Sequence, residues 1–62
     1  MKVRVTIKLI EADGWWQVRQ KGSHRKFHHP TKPGAVTVPG RPSQDLHPKT
    51  QASIINQAGL TR

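Results

Sequence analysis

The sequence predicts a small α+β domain, and three observations lead to that prediction. Three short segments rich in strand-forming residues follow one another in the middle of the chain, separated by turns that contain glycine or proline. A segment near the C-terminus has apolar residues at helical spacing. The chain has 62 residues, which allows one domain, and we expect that domain to occupy residues 1–62. A chain this short has too few residues to wall a deep pocket.

The first segment, residues 2–13, fits two structures. Its valines, isoleucine and leucine alternate with polar residues, which is typical of a strand. With a period of 3.6 residues, Val3, Ile7 and Ile10 share one face, which predicts a helix. Gly14 stands where a helix would end in a left-handed residue, although this glycine and the aspartate before it also suit a hairpin turn. The residues themselves leave helix and strand about equally favoured.

The middle of the chain predicts three strands, Trp15–Gln20, His24–His29 and Ala35–Val38. The first turn is Lys21–Ser23, and the second, Pro30–Gly34, is bounded by prolines. Short connections of this kind join antiparallel neighbours.

The last segment predicts a helix that begins at Pro48, because a proline in the first helical turn loses no hydrogen bond. Thr50, Ile54 and Ala58 recur at a spacing of four residues and form its apolar stripe. Gly59 is a suitable stop.

Alternation along the strands predicts one basic face, because neighbouring residues of a strand point to opposite sides of a sheet. We expect the apolar strand residues to face the core: Val18, Phe27, Val36 and Val38. The residues that alternate with them form the opposite face: Gln17, Arg19, Lys21, His24, Lys26, His28 and Thr37. That face has no acid, and an antiparallel sheet can leave it open to solvent.

The composition is strongly basic. The chain has 11 lysine and arginine residues against 3 aspartate and glutamate residues, a net charge of +8 at pH 7 with neutral histidines. Such an excess favours a polyanionic partner, either a nucleic acid or an acidic protein.

Several classes of protein are excluded. The chain has no cysteine, which excludes a disulfide framework, a thiolate metal site and thiol catalysis. No apolar run approaches the roughly 18 residues that a membrane span needs. Charged residues interrupt the N-terminal segment, unlike in a secretory signal, so we expect a cytoplasmic protein without a membrane partner. No nucleotide-binding glycine loop occurs, and we expect no cofactor.

His24 is the candidate for proton transfer. It directly follows Gly22 and Ser23, and a glycine there permits a tight turn that exposes the imidazole. Histidine titrates near neutral pH, so it can act as a general acid or base. A plain surface histidine beside a turn is the simpler interpretation of the same residues. His28 lies four residues later, but the acids are distant in sequence, and we expect no metal site.

A basic cluster surrounds the first predicted hairpin: Lys21, Arg25, Lys26 and Lys32. These side chains either hold phosphates or form a solvated surface. Trp15 and Trp16 are adjacent, so in a strand they point opposite ways. One is expected in the core. The other either stacks on a base or, as we prefer, covers the edge of the sheet.

Five runs of sequence resemble a known family: Ile7–Trp15, Val18–His24, His29–Gly34, Val36–Pro39 and Ser53–Leu60. The most specific element is Gly22-Ser23-His24. Together these runs are similar, in register and over nearly the whole chain, to the HicA-type toxins of bacterial and archaeal toxin–antitoxin pairs.

This resemblance implies a compact α-β-β-β-α fold with a three-stranded antiparallel sheet and two helices on one face, similar to double-stranded-RNA-binding domains. It therefore favours a helix over residues 2–13. It also implies an endoribonuclease that cleaves messenger RNA and arrests growth, with His24 as the catalytic residue. A HicB-type antitoxin is the implied protein partner and covers that histidine.

We expect the RNA to be bound by residues around that histidine: Arg19, Lys21, Gly22, Ser23, Arg25, Lys26 and His28. The alternatives are a non-catalytic RNA-binding module and a small ribosome-associated basic protein.

Overall fold

The structure of the protein, a computed structural model, describes residues 1–60. Within this range the elements are, in chain order, α1 (Val3–Ala12), β1 (Trp16–Lys21), β2 (His24–His28), β3 (Val36–Val38) and α2 (Pro48–Gln57). This α-β-β-β-α order confirms the predicted fold class. Thr61 and Arg62, the last residues of the expected domain, lie outside the described residues.

The three strands form one antiparallel sheet with β2 in the centre. At one end of the β1–β2 hairpin Trp16 lies opposite His28, and at the turn end Lys21 lies opposite His24. On the other side of β2, Phe27 lies opposite Val36.

The first segment is a helix because its buried residues follow the helical period. Val3, Thr6 and Ile10 are fully buried, at spacings of three and four residues. Strand alternation would have buried Val5 and Leu9 beside Val3, yet these two side chains are 44% and 39% exposed. Burial of one face against the rest of the core outweighs the strand preference of the β-branched residues, which is weak and depends on context.

Both helices end at the predicted glycines. Gly14 has a φ of +110°, in the range that favours glycine. Its N–H donates to the carbonyl oxygen of Glu11 at 3.0 Å, and the N–H of Trp15 donates to that of Ile10 at 3.1 Å. These two bonds form a Schellman motif. The end of α2 repeats the pattern around Gly59, whose φ is +69°.

The core combines both helices with one side of the sheet. Its buried apolar residues are Val3, Ile10, Trp15, Phe27, Val36, Val38, Leu46, Ile54 and Ala58. Phe27 from the central strand and Ile54 from α2 belong to this cluster, as the alternation and the helical spacing predicted.

The prediction that Val18 faces the core is wrong. Its side chain is 43% exposed. A β-bulge interrupts the register between Gln17 and Arg19, so that Val18 has no partner on β2. Because a bulge adds one residue to one strand, alternation counted along the sequence fails beyond it.

The bulge also changes which residues share a face. Residues directly opposite each other on neighbouring strands lie on the same side of the sheet. Gln17 pairs with Phe27 and lies on its side, whereas Trp16 pairs with His28 on the opposite side. The prediction for Gln17 is therefore wrong, and Trp16 takes its place on the face away from the core.

Candidate functional site

The side of the hairpin away from the core, which we call the open face, carries three cross-strand pairs. From the turn outward they are Lys21–His24, Arg19–Lys26 and Trp16–His28. All except the half-buried His28 are exposed. The acidic residues of the chain, Glu11, Asp13 and Asp45, all lie outside the strands, which confirms that the sheet carries no acid.

The middle pair places two like charges opposite each other. Arg19 and Lys26 are cross-strand partners, and such a pair destabilises a sheet. Neither side chain forms an ion pair with any residue in the range 1–60. A bound polyanion would relieve this repulsion, so the electrostatics of the open face favour a phosphate backbone as its ligand.

A groove of about 350 Å³ lies where the open face meets α2. Its lining residues come from the strands, from the segment after β3 and from α2: His24, Thr37, Pro39, Lys49, Thr50, Ser53, Ile54 and Gln57. His24 therefore does not stand alone on the hairpin, because a helix that begins 24 residues further along the chain forms the other wall.

The wall formed by α2 includes three polar side chains at regular spacing. Lys49, Ser53 and Gln57 recur every four residues, and Gln57 Nε2 donates a hydrogen bond to Ser53 Oγ at 3.1 Å. Sequence analysis singled out none of these three residues. The available signal was their spacing, which runs parallel to the apolar stripe of Thr50 and Ile54, one helical position away.

Two of the four histidines have structural roles. His29 Nε2 donates to the carbonyl oxygen of Asp13 at 2.7 Å, while its Nδ1 accepts the N–H of Lys32 at 3.0 Å. His47 caps the N-terminus of α2, where its Nδ1 accepts the N–H of Lys49 at 3.1 Å. Both rings are held by the backbone, and neither lines the groove.

The other two histidines lie on the open face. The His28 ring packs edge-on against Trp16, with ring centroids 6.5 Å apart. The His24 side chain is exposed and makes no hydrogen bond with any residue that the structure describes. Of the histidine rings in residues 1–60, only that of His24 both lines the groove and leaves its nitrogens free for a substrate.

A family model described as the HicA toxin of bacterial toxin–antitoxin pairs matches residues 3–60. The chain belongs to the HicA toxin family. A comparison with curated proteins found no match. Membership identifies the protein as a toxin and implies an antitoxin partner.

In this HicA toxin two of the expected phosphate-binding cations lie elsewhere. Arg25 lies on the side of the sheet that carries Phe27, and its Nη1 donates to the carbonyl oxygens of Gly40 at 2.8 Å and Ser23 at 3.3 Å. It therefore holds the turn before His24 against the segment that follows β3. Lys32 pairs with Asp13, away from the open face.

The remaining expected residues, Gly22 and Ser23, form the exposed turn directly before His24. Among residues 1–60, no three histidine, aspartate or glutamate side chains come together as a metal-binding group. Neither helix in that range is long and apolar enough to cross a membrane.

Proposed function

We propose that this HicA toxin is an endoribonuclease that cleaves messenger RNA and arrests growth, with His24 as its general acid or base. The observation that carries the proposal is the position of His24. Its unbonded, exposed imidazole lines a groove beside a cationic face, whereas His29 and His47 have structural hydrogen bonds.

The chemistry requires little from the protein, because RNA carries its own nucleophile. The 2′-hydroxyl next to the scissile phosphate attacks phosphorus, forming the P–O2′ bond and breaking the P–O5′ bond. One proton leaves the 2′-oxygen and one reaches the 5′-oxygen, and His24 can accept the first or supply the second. The products are a cyclic phosphate and a 5′-hydroxyl. Attack by water would leave a linear phosphate instead, so the chemistry of the ends distinguishes the two routes.

We assign charge stabilisation to one cation of the hairpin and one cation of α2. Lys21 lies opposite His24 across the hairpin, and Lys49 lies on the α2 wall of the same groove. Ammonium groups in these positions stabilise the negative charge that builds on the phosphate oxygens during the displacement. Arg19 and Lys26, further along the open face, contact the phosphates that position the strand.

The proposed inhibitor is a HicB-type antitoxin that covers His24. An acidic protein surface complements the open face, which carries cations and no acid. Antitoxin and RNA then compete for the same area. Substitution of Lys21 or Lys26 by alanine should weaken both complexes, and simultaneous binding of both partners with His24 still accessible would contradict a shared surface.

The test compares one substitution at two exposed histidines. His24→Asn removes the titrating group from the groove, and we expect RNA cleavage to fall by about 10²–10⁴-fold. His47→Asn is the matched control, since asparagine is a good helix N-cap and preserves the start of α2. Growth and RNA integrity are scored after induced expression, and cleavage is measured with purified protein.

The outcomes separate the enzyme from the alternatives. Retained RNA binding with lost cleavage in His24→Asn supports an acid–base role. Undiminished cleavage by folded His24→Asn protein overturns the assignment. Wild-type protein that binds RNA without ever cutting it would identify a non-catalytic RNA-binding module.

A further inference from the structure

Apart from its histidines, the open face of the hairpin carries one aromatic side chain, that of Trp16. The two tryptophans differ sharply in environment, since Trp15 is 2% exposed and Trp16 is 47% exposed. Trp15 donates from Nε1 to the carbonyl oxygen of Ala58 at 3.2 Å, whereas Trp16 makes its ring contact with His28. The buried position of Trp15 is therefore explained by its role in the core, whereas packing does not explain the exposed position of Trp16.

The β-bulge is what brings Trp16 to this face. Without it, regular alternation from Lys21 through Arg19 would place Gln17 on the open face and turn Trp16 to the other side. With the bulge, Trp16 lies opposite His28 and on the side of His24. Bulges commonly re-aim a side chain next to a functional site.

The contact between Trp16 and His28 leaves much of the indole exposed. The Trp16 and His28 rings meet at 79°, so one presents its edge to the other. An edge contact does not stack the two rings, and nearly half of the indole remains open to solvent. Nearly half of the Trp16 side chain is therefore available for contact with a planar group.

The open face presents three kinds of group in order along the hairpin. The acid–base group His24 stands at the turn, the Arg19–Lys26 cations come next, and Trp16 follows at the far end. Four residues separate His24 from His28 on β2, a distance of about 13 Å along the strand. A chain lying along the face thus meets a reacting site, then phosphate-binding cations, then an aromatic surface.

We infer that Trp16 stacks on an unpaired nucleobase of the RNA, beyond the scissile phosphate, with His28 at the edge of the stack. The inference rests on the proposed function and specifies the substrate as single-stranded RNA. In an A-form duplex the bases are already stacked on each other and offer no free face, whereas splayed bases of single strands stack on aromatic side chains. Cations hold the backbone and Trp16 holds a base.

The experiment measures affinity in the full chain with His24→Ala, which prevents turnover. Three probes are compared: a short single-stranded oligoribonucleotide, the same sequence as a duplex, and inorganic polyphosphate, which has phosphates and no bases. We expect Trp16→Ala to raise the Kd for the single strand by about 5- to 150-fold, the range for the loss of one base–aromatic stack. The Kd for polyphosphate should not change, and Trp16→Phe should retain most of the affinity.

Val18→Ala is the matched control. Val18 is a neighbouring apolar residue of the same strand with a similar exposure of 43%, and it lies in the bulge without a cross-strand partner. It should leave the affinity for all three probes unchanged. A general effect of removing exposed apolar surface from β1 would instead weaken both variants alike.

Fluorescence gives an independent readout, because the chain has two tryptophans and Trp15 is buried. Stacking should quench the emission of Trp16 when the single strand binds, and polyphosphate should bind without quenching. In Trp16→Phe the remaining signal comes from Trp15 and should not respond to RNA. Binding of RNA without quenching in the parent protein would overturn the inference.

Other results are equally decisive. Equal weakening of RNA and polyphosphate by Trp16→Ala would show a structural role and overturn the inference. So would loss of antitoxin binding with unchanged RNA affinity, which would make Trp16 a protein-docking residue. If Trp16→Ala in the chain with intact His24 cleaves RNA with unchanged KM, the inference fails while the proposed function stands. Failure of the wild-type chain to bind RNA overturns both.

Discussion

Lys32 and Asp13 form an ion pair with an Nζ–Oδ2 distance of 2.5 Å. Asp13 is the C-cap of α1, and the same ammonium group donates to the carbonyl oxygen of Ala58, the C-cap of α2, at 3.0 Å. Helix C-termini carry partial negative charge, so one cation stabilises both ends. Lys32 therefore holds the two helices together and does not contribute to a phosphate-binding surface around the first hairpin, where sequence analysis had placed it.

Substitution of Lys32 should lower the stability of the fold. We expect Lys32→Met to reduce the free energy of unfolding by about 0.3–1 kcal/mol through the lost interaction with the end of α2, with a further loss from the broken ion pair. Lys26→Met is the control, because Lys26 faces another cation across the sheet. Urea denaturation measures both variants, and equal midpoints would contradict the role of Lys32.

The ion pair also predicts a response to acid. The hydrogen bond from Lys32 holds the pKa of Asp13 below its ordinary value of 3.8. The native state thus favours the carboxylate more than the unfolded state does. This contribution to stability is complete above pH 3.8 and is lost as the pH falls from there through the native pKa.

We therefore expect Asp13→Asn to flatten the decline of stability below that pH, as measured by urea midpoints at a series of acidic pH values. Glu11→Gln removes an exposed carboxylate from the same helix end and should leave the decline intact. Parallel curves for Asp13→Asn and wild type would disprove the link.

Regular local patterns in the sequence were sufficient to predict most of the fold. The helix stops at Gly14 and Gly59 and the core position of Phe27 follow from spacing and backbone conformation alone. The first helix could not be predicted in this way, because its residues fit both the strand period and the helical period. Only packing against the core decides between the two structures. The prediction that Val18 faces the core failed for another reason, since no feature of the sequence indicates the β-bulge.

For the candidate site too, local features could be predicted and features that depend on tertiary packing could not. The exposed position of His24 and the basic face could be predicted, because the histidine follows a tight turn and the cations occupy alternate positions of the two hairpin strands. Lys49 could not, because its approach to His24 depends on how α2 packs beside β3. The separate role of Arg25 could not be predicted either. Its hydrogen bond to the carbonyl oxygen of Gly40 depends on the tertiary structure, which brings the two residues together.

Truncation of Phe27 should nearly unfold the domain. The side chain is fully buried, and a Phe→Ala change at such a site costs about 3–5 kcal/mol. A domain of this size has a total stability of only about 5 kcal/mol. Val18→Ala, at an exposed position of the same sheet, should change stability by less than about 0.5 kcal/mol. Thermal unfolding of both variants tests these two expected changes in stability. A Phe27→Ala protein that melts like wild type would show that Phe27 is not a core residue.

RNA binding should weaken steeply with salt. Four cations line the proposed path: Arg19, Lys21, Lys26 and Lys49. For single strands, each phosphate contact lowers the slope of log binding constant against log salt concentration by about 0.7. Three or four contacts therefore give a slope of about −2 to −3. Lys26→Ala should reduce the slope by about 0.7 without changing which sequences bind. Lys8→Ala, which removes an exposed charge from α1, should not change it. A flat salt response would contradict phosphate binding at this face.

The contacts that hold the helix ends together join distant parts of the chain. Trp15 and Ala58 are 43 residues apart, and Lys32 and Ala58 are 26 apart. A ribosome synthesises His24 long before it reaches α2, so a nascent chain has its histidine before it has the Lys49 wall of the groove or the carbonyl that Lys32 binds. Fragments ending before α2 should accordingly fail to cleave RNA. The order of synthesis thus delays the proposed cleavage until α2 has been added to the chain.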